Sequence, residues 1–223
     1  MIKAVILDLD DTLVLTKEAA FEGDNELLRR LGYPPVSKEL HDKHWGKYVE
    51  DSMQHWAPGL DITKFRDAYT QLIAEYVKAG KLDVIPPENL KALDQLVKTG
   101  KTLYVLTSRA HNEVLHILEP DHYLARRIHA FYYRDNMQFH KPDPRAFAQI
   151  EREHGWKPQE CVYVGDSVSD AVAAKGAGLH FIASLESGLR TKDDFADYPV
   201  DVFINVFPEV VAAVRSLESA AKS

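Results

Sequence analysis

The chain lacks several features that define whole classes of protein. It has a single cysteine, Cys161, in 223 residues, which excludes a disulfide within the chain. Because Cys161 opens an apolar run at 161–164, we expect a buried small hydrophobe. No apolar stretch approaches the roughly 18 residues that span a bilayer, and the first apolar run is too short for a signal peptide. We therefore expect a cytoplasmic protein with no membrane contact.

Positive charge is also scarce. The formal net charge is −7 at pH 7, and no dense run of lysine and arginine supplies the positive surface that a nucleic-acid backbone requires. Small charged substrates remain compatible with this balance. The ten histidines lack the spacing of a zinc site: the tightest group, at 41–44, has no third ligand nearby, and we expect a solvated helix face there.

What the chain does contain is a regular alternation of two patterns. Hydrophobic residues make up 45% and charged residues 27% of the chain, as in ordinary globular proteins. Short apolar runs rich in β-branched and aromatic residues predict strands at 2–8, 102–107, 129–133, 161–165, 180–183 and 202–204. Amphipathic stretches between them predict helices at 88–99, 112–118, 144–154, 170–176 and 208–217. This alternation predicts an α/β fold with a doubly wound parallel sheet, similar to the Rossmann fold.

One interval breaks the alternation. Residues 15–82 contain no run typical of a strand and show only helical periodicity with heavily charged faces. Pro34 and Pro35 separate the first two predicted helices, while Pro86 and Pro87 mark the return to the sheet. We predict a catalytic core formed by residues 1–14 and 83–223, with residues 15–82 inserted as a helical cap.

Polar residues follow the predicted strands at their carboxyl ends, where open parallel sheets bind ligands. Four segments would meet at this edge. They are Asp8-Leu9-Asp10-Asp11-Thr12 after the first strand, Thr107-Ser108-Arg109 after the second, His140-Lys141-Pro142-Asp143 before a helix, and Gly165-Asp166-Ser167-Val168-Ser169-Asp170 after the fourth strand. Clustered carboxylates at the end of a buried strand repel one another unless a cation intervenes.

This set of side chains suits chemistry on a phosphate ester. Carboxylate oxygens are the ligands that Mg²⁺ prefers, and the metal commonly shares its sphere with substrate phosphate. A carboxylate can also attack phosphorus, and a second one can transfer the proton. Asp8 and Asp10 fit those two roles, while Lys141 and Thr107 are suited to holding phosphoryl oxygens.

The four segments, in this order and spacing, resemble the four motifs of the haloacid dehalogenase-like hydrolase superfamily. The matching residues are Asp8-x-Asp10-x-Thr12, Thr107, Lys141-Pro142 and Gly165-Asp166-x-x-x-Asp170. The resemblance covers almost the whole chain. The helical insert after the first motif is similar to the cap of the branch that contains phosphoglycolate phosphatase and β-phosphoglucomutase.

The resemblance implies a role for each matching residue. Asp8 would be the nucleophile and a metal ligand, and Asp10 the general acid and base, with its backbone carbonyl on the metal. Asp166 would bind Mg²⁺ directly, and Asp170 would support the metal site or orient Lys141. Thr107, Ser108 and Lys141 would hold the phosphoryl group; each of these four motifs alone is a weak signal, and their combination is a strong one.

The chain departs from the pattern of the family at two places. Asp11 stands where this branch usually has glycine, and we expect its side chain to point to solvent. Arg109 stands in place of a more usual asparagine and lysine. It is either a ligand of phosphate or a substrate carboxylate, or a surface arginine at a helix start.

The cap is where substrate choice would lie. The segment Trp45-Gly46-Lys47-Tyr48 falls where related caps place a loop that contacts the substrate. Lys47 either contacts an anionic leaving group there or is a solvated surface lysine, with Trp45 packed inside the cap.

The sequence thus predicts a Mg²⁺-dependent phosphatase that acts on a small phosphorylated metabolite, as a monomer or a homodimer. A phosphomutase uses the same residues and differs in how well the cap excludes water. A third hypothesis is a protein that accepts or binds phosphate without turnover, and the completeness of the four motifs disfavours it. Asp10 disfavours metal-free dehalogenation and phosphonate hydrolysis, because the enzymes of the family with those activities lack this second acid.

Overall fold

The structure, a computed structural model, describes residues 1–45 and 47–220. The chain divides into two compact units. The first comprises Met1–Val14 and Ile85–Ser223, and the second comprises Leu15–Val84. No helix within the described residues has both the length and the apolar character needed to cross a membrane.

The first unit is built on a parallel sheet of six strands in the order β3-β2-β1-β4-β5-β6. The strands are β1 (Ala4–Leu7), β2 (Thr102–Leu106), β3 (Ala130–Tyr132), β4 (Cys161–Gly165), β5 (His180–Ser184) and β6 (Val202–Ile204). Each apolar run that predicted a strand forms one, with ends that differ by no more than a few residues. The α/β fold with a doubly wound parallel sheet is therefore confirmed.

Helices connect the strands and cover the sheet. In chain order the helices of the described residues are α1 (Lys17–Arg30), α2 (Lys38–His44), α3 (Val49–Trp56), α4 (Ile62–Lys78), α5 (Pro87–Lys98), α6 (His111–Val114), α7 (Ala148–His154), α8 (Val168–Gly176) and α9 (Val210–Ala220). The predicted helix at 112–118 is wrong in extent, because α6 ends at Val114. The predicted helix at 144–154 begins with a short 3₁₀ turn before α7.

Both faces of the sheet are buried, and alternation along each strand sorts side chains between two cores. In β1, Val5 and Leu7 pack into one core cluster, while Ala4 and Ile6 pack into the other. Because both faces are covered, the strands are mostly apolar and do not alternate between apolar and polar residues. Cys161 lies in the second cluster and is buried, as predicted.

The second unit consists of α1 to α4 around its own apolar core, which includes Leu27, Met53, Phe65 and Leu72. The expectation of a solvated face at 41–44 is wrong for two of its four residues. His41 is 1% exposed and its Nε2 lies 3.1 Å from Oδ2 of Asp24.

Aromatic packing explains this burial. The His41 ring packs against the rings of Phe21 and Trp56, whose centroids are 5.3 and 5.5 Å away. The indole Nε1 of Trp56 donates to Nδ1 of His44, at 3.2 Å. Histidine therefore serves here as a buried aromatic side chain with polar edges.

Candidate active site

The polar residues that follow the central strand β1 lie at the point where the strand order of the sheet reverses. β1 pairs with β2 on one side and with β4 on the other. Asp8, Thr107 and Asp166 each follow one of these three strands directly. In a parallel sheet such residues share one edge, and the reversal of strand order leaves a crevice there.

Lys141 joins two of the carboxylates at this edge. Its Nζ lies 3.0 Å from Oδ2 of Asp8 and 2.7 Å from Oδ1 of Asp170. All three side chains are at least nine-tenths buried. Burial opposes the charge on Lys141, but the neighbouring charges of Asp170 and Asp8 raise its pKa above the usual value, so the ammonium stays charged.

Asp170 is held from both ends of its carboxylate. Besides the contact of Oδ1 with Lys141, its Oδ2 accepts hydrogen bonds from the backbone N–H and the hydroxyl of Ser167, at 3.0 and 2.7 Å. Gly165 makes room for this side chain, since a Cβ added there would lie 2.6 Å from Cγ of Asp170. Glycine is therefore required at the end of β4 for a close approach.

Asp166 forms no ion pair with any of the described residues. Its side chain is buried, and no hydrogen bond or ion pair reaches it from residues 1–45 or 47–220. Burial raises its pKa well above the ordinary value, the charges of Asp170, Asp8 and Asp11 add to the effect, and the charge of Lys141 opposes it in part. An ionised carboxylate in this position requires a compensating positive charge.

Three carboxylates are close enough to share one metal ion. One oxygen from each of Asp8, Asp166 and Asp170 lies within 4.8 Å of the others. Hard oxygen donors of this kind suit Mg²⁺, and the uncompensated Asp166 fits a divalent cation. Both oxygens of Asp170 are engaged within the protein, and so are those of Asp8, whose Oδ1 accepts a hydrogen bond from the N–H of Leu9 at 2.8 Å. Asp166 makes no such contact with the described residues, so it is the carboxylate best placed to bind a cation.

Asp10 and Arg109 form a separate ion pair. Nε of Arg109 lies 3.1 and 3.0 Å from the two carboxylate oxygens of Asp10, and Nη2 lies 2.6 Å from Oδ1. Arg109 is 8% exposed, so of the two interpretations of this residue, the surface arginine at a helix start is wrong. The strand-end carboxylate draws the guanidinium inward, and a forked pair of this type fixes the orientation of the carboxylate.

The expectation that Asp11 points to solvent is also wrong. Asp11 is 1% exposed and has a φ of 50°, in the left-handed region that aspartate tolerates better than most residues. Its N–H donates to the carbonyl of Val14, at 2.7 Å. This tight turn directs the side chain inward, and its charge acts on Asp166.

The remaining sequence-predicted residues differ in their surroundings. Thr107 is buried, and its hydroxyl oxygen accepts a hydrogen bond from the N–H of Arg109, at 3.2 Å. Ser108 is exposed on the same loop. Lys47 belongs to the second unit, where it is exposed, and Trp45 beside it is half-buried against His41; Gly46, predicted to lie in the same loop, falls outside the described residues.

Sequence reasoning missed two of the side chains at this edge. Tyr163 in β4 places its hydroxyl 2.9 Å from Nζ of Lys141, and Ser167 bonds to Asp170. In the sequence, Tyr163 is one residue of an apolar strand and carries no mark of a role in the site. The only indication is that a buried tyrosine needs a polar partner for its hydroxyl group.

Comparison with known proteins shows which family the chain resembles. A sequence model of the family described as haloacid dehalogenase-like hydrolase matches residues 5–184. A phosphoglycolate phosphatase from Aliivibrio fischeri is 27% identical over 222 residues, which cover 96% of each chain. Hexitol phosphatase A from Escherichia coli is 27% identical over 191 residues, covering 81% of this chain and 82% of that protein.

A solved structure shares the fold. The crystal structure of CbbY from Rhodobacter sphaeroides in complex with phosphate superposes with a TM-score of 0.76 at 24% identity. The superposition covers 96% of this chain and all of the other. It shows a common fold across both units of the chain.

The crowding of carboxylates predicts how the substitution Asp166→Asn changes stability. Without metal, the variant removes a carboxylate whose ionised form is disfavoured by burial and by the neighbouring carboxylates, so we expect it to melt about 2–5 °C above the unsubstituted protein at a pH of about 8 in chelator. Mg²⁺ should raise the melting temperature of the unsubstituted protein and leave that of Asp166→Asn unchanged. Thermal unfolding followed by circular dichroism, with Mg²⁺ or chelator, measures both effects.

The raised pKa values also predict how the stability of the metal-free protein changes with pH. Burial raises the pKa of Asp8 from 3.8 to about 7 and raises that of Asp166 as well. The folded protein without metal therefore binds protons at these groups more tightly than the unfolded chain does. The contribution of Asp8 to the free energy of unfolding should decrease as the pH rises from about 4 to about 7, and that of Asp166 should change in the same direction. The stabilisation by Mg²⁺ should therefore grow over that range.

Asp94→Asn is the matched control. Asp94 forms an ion pair with Arg127 at a partly exposed site, with Nε 2.7 Å from Oδ1. Its substitution should leave the response to Mg²⁺ intact. An unsubstituted protein that does not respond to Mg²⁺, or an Asp166→Asn variant that responds equally, would contradict the assignment of Asp166 as a ligand.

Proposed function

The chain belongs to the haloacid dehalogenase-like hydrolase family, and from that premise we propose that it is a Mg²⁺-dependent phosphatase of a small phosphomonoester. The proposed reaction passes through an aspartyl-phosphate on Asp8. The observation that carries the proposal is the position of Asp8, whose carboxylate lies directly after the central strand and 3.0 Å from the ammonium of Lys141.

In the first proposed step, an oxygen of Asp8 attacks the phosphorus atom of the ester. The bond between phosphorus and the leaving oxygen breaks, and Asp10 supplies the proton that the leaving alcohol needs. In the second step, Asp10 takes a proton from a water molecule, and the resulting hydroxide attacks the phosphorus. Phosphate leaves and Asp8 returns to a carboxylate.

The other side chains of the edge would hold the transferred group. We assign Lys141, Thr107 and Ser108 to the phosphoryl oxygens, because an ammonium and two hydroxyls offer the donors that developing negative charge requires. Asp8, the backbone carbonyl of Asp10 and Asp166 would hold Mg²⁺. When bound, the metal supplies positive charge that offsets the repulsion between the carboxylates and the phosphate.

The class of substrate rests on the relatives. Two related enzymes are named for their action on phosphoglycolate and on hexitol phosphates. These names support a small phosphorylated metabolite as the substrate here. We propose that the helical unit, residues 15–84, acts as a cap that selects the leaving group. Lys47, exposed in that unit, is our candidate for contact with an anionic leaving group.

Asp8→Asn tests the nucleophile. An amide oxygen is a poor nucleophile toward phosphorus, so we expect phosphate release to fall by roughly a thousandfold or more. The measurement is release of phosphate from a panel that contains a sugar phosphate, phosphoglycolate, a nucleotide and an aryl phosphate, with Mg²⁺ and with chelator.

Asp143→Asn is the control for this experiment. Asp143 follows Lys141 closely in the chain, but its carboxylate pairs with Arg145 on the surface, and activity should persist. Substantial turnover by a folded Asp8→Asn protein would contradict the role of Asp8 as the nucleophile. If the unsubstituted protein releases no phosphate from any ester but retains it on Asp8, a phosphomutase or a protein that only accepts phosphate gains support.

Arg109→Met tests the ion pair with Asp10. Without the guanidinium, the carboxylate of Asp10 loses the partner that fixes its orientation. We expect kcat to fall by about tenfold or more, and to fall further for a sugar phosphate than for an aryl phosphate, because the alcohol is the poorer leaving group and depends more on the proton from Asp10.

Arg127→Met is the matched control, because Arg127 forms a forked pair with Asp94, at 2.7 and 3.0 Å, outside the site. It should leave kcat unchanged for both esters. An Arg109→Met protein whose kcat falls equally for both esters would refute positioning of the proton donor as the cause.

A further inference from the structure

The ammonium of Lys141 has three N–H donors, and three oxygen atoms of the protein lie within 3.0 Å of its Nζ. Oδ2 of Asp8 lies at 3.0 Å and Oδ1 of Asp170 at 2.7 Å, and both form ion pairs with it. Nζ also donates a hydrogen bond to the hydroxyl oxygen of Tyr163, at 2.9 Å. The ammonium is thus held by three partners.

The hydroxyl of Tyr163 is itself held by two acceptors. It lies 3.2 Å from the carbonyl oxygen of Leu106 and 3.2 Å from Oδ1 of Asp170. A hydroxyl has one proton, so it donates to one of these acceptors at a time while it accepts from Lys141. Burial raises the pKa of Tyr163 well above the ordinary value of 10.0, which keeps the hydroxyl neutral.

These bonds connect three segments of the site through one atom. Leu106 is the last residue of β2 and directly precedes Thr107. Lys141 comes from the loop before α7, and Asp170 from the first turn of α8. The Tyr163 side chain reaches all three from β4, where its Cα pairs with that of Ile6, two residues before Asp8.

We propose that Tyr163 is a positioning residue for phosphoryl transfer. With Asp170, its hydroxyl fixes two N–H groups of Lys141, so that the third points at Asp8 and at the phosphoryl group that Asp8 receives. The proposal rests on the proposed function of the site. A hydroxyl suits this position because it orients the ammonium without adding a further negative charge to a cluster of buried carboxylates.

Tyr163→Phe is the test, since it removes the hydroxyl and keeps the ring. A hydrogen bond to a charged group is lost, so we expect kcat for the best ester to fall by about 10- to 100-fold. The inhibition constant of orthovanadate, which occupies a phosphoryl site, should rise by a similar factor. A merely structural role would lower the melting temperature and leave kcat and the inhibition by orthovanadate unchanged.

Tyr104→Phe is a closely matched control. Tyr104 in β2 pairs with the same residue, Ile6, from the other side of β1, and lies in the same core cluster as Tyr163. Its hydroxyl oxygen accepts a hydrogen bond from Nε1 of Trp156, at 2.8 Å, outside the site. Its substitution should leave kcat within about twofold of the unsubstituted value.

A crystal structure of the Tyr163→Phe protein separates this proposal from the proposed function. If the unsubstituted protein hydrolyses none of the esters, the proposed function fails, and the position of Lys141 in that crystal structure still decides the role of Tyr163. We expect Nζ of Lys141 to move out of hydrogen-bond distance of Asp8. A Lys141 that keeps its contact with Asp8, or a variant with unchanged kcat and orthovanadate inhibition, overturns the proposal.

Discussion

The contact of one buried ammonium with two buried carboxylates holds this site together. Nζ of Lys141 lies within 3.0 Å of an oxygen of both Asp8 and Asp170. Taking three charged groups out of water is costly, and the cost is offset only when the charges are paired and the remaining donors and acceptors are satisfied. Ser167 and Tyr163 complete that set, so the arrangement depends on every partner being present.

The sheet explains how distant segments come to share this contact. β1 lies between β2 and β4, and each of the three strands ends at the same edge. Gly165, which closes β4, leaves the space that the Asp170 side chain fills. Local sequence choices and the global fold therefore agree at this point, which is typical of sequences that specify a single structure.

Much of the fold was predictable, because buried parallel strands are short, apolar and rich in β-branched residues, and such runs are visible in the chain. The burial of His41, Asp11 and Arg109 was not. Residue type favours exposure for each of them, and the features that overrule it are neighbouring rings, a left-handed turn and a strand-end carboxylate. For Tyr163, the burial was predictable and the role in the site was not. Its ring fits an apolar strand, and the partners of its hydroxyl come from three other segments of the chain.

Lys141 and Arg109 do not pair with every carboxylate at the carboxyl edge of the sheet. This uneven pairing favours binding of a further positive charge. Lys141 serves Asp8 and Asp170, and Arg109 serves Asp10. Within the described residues, Asp166 forms no ion pair, and burial and the neighbouring carboxylates raise its pKa more than the charge of Lys141 lowers it. A lysine near Asp166 would compete with Lys141 for the same carboxylates, whereas a divalent ion can be shared between Asp8 and Asp166. The charge pattern of these side chains thus favours a divalent cation over another side chain as a partner of Asp166.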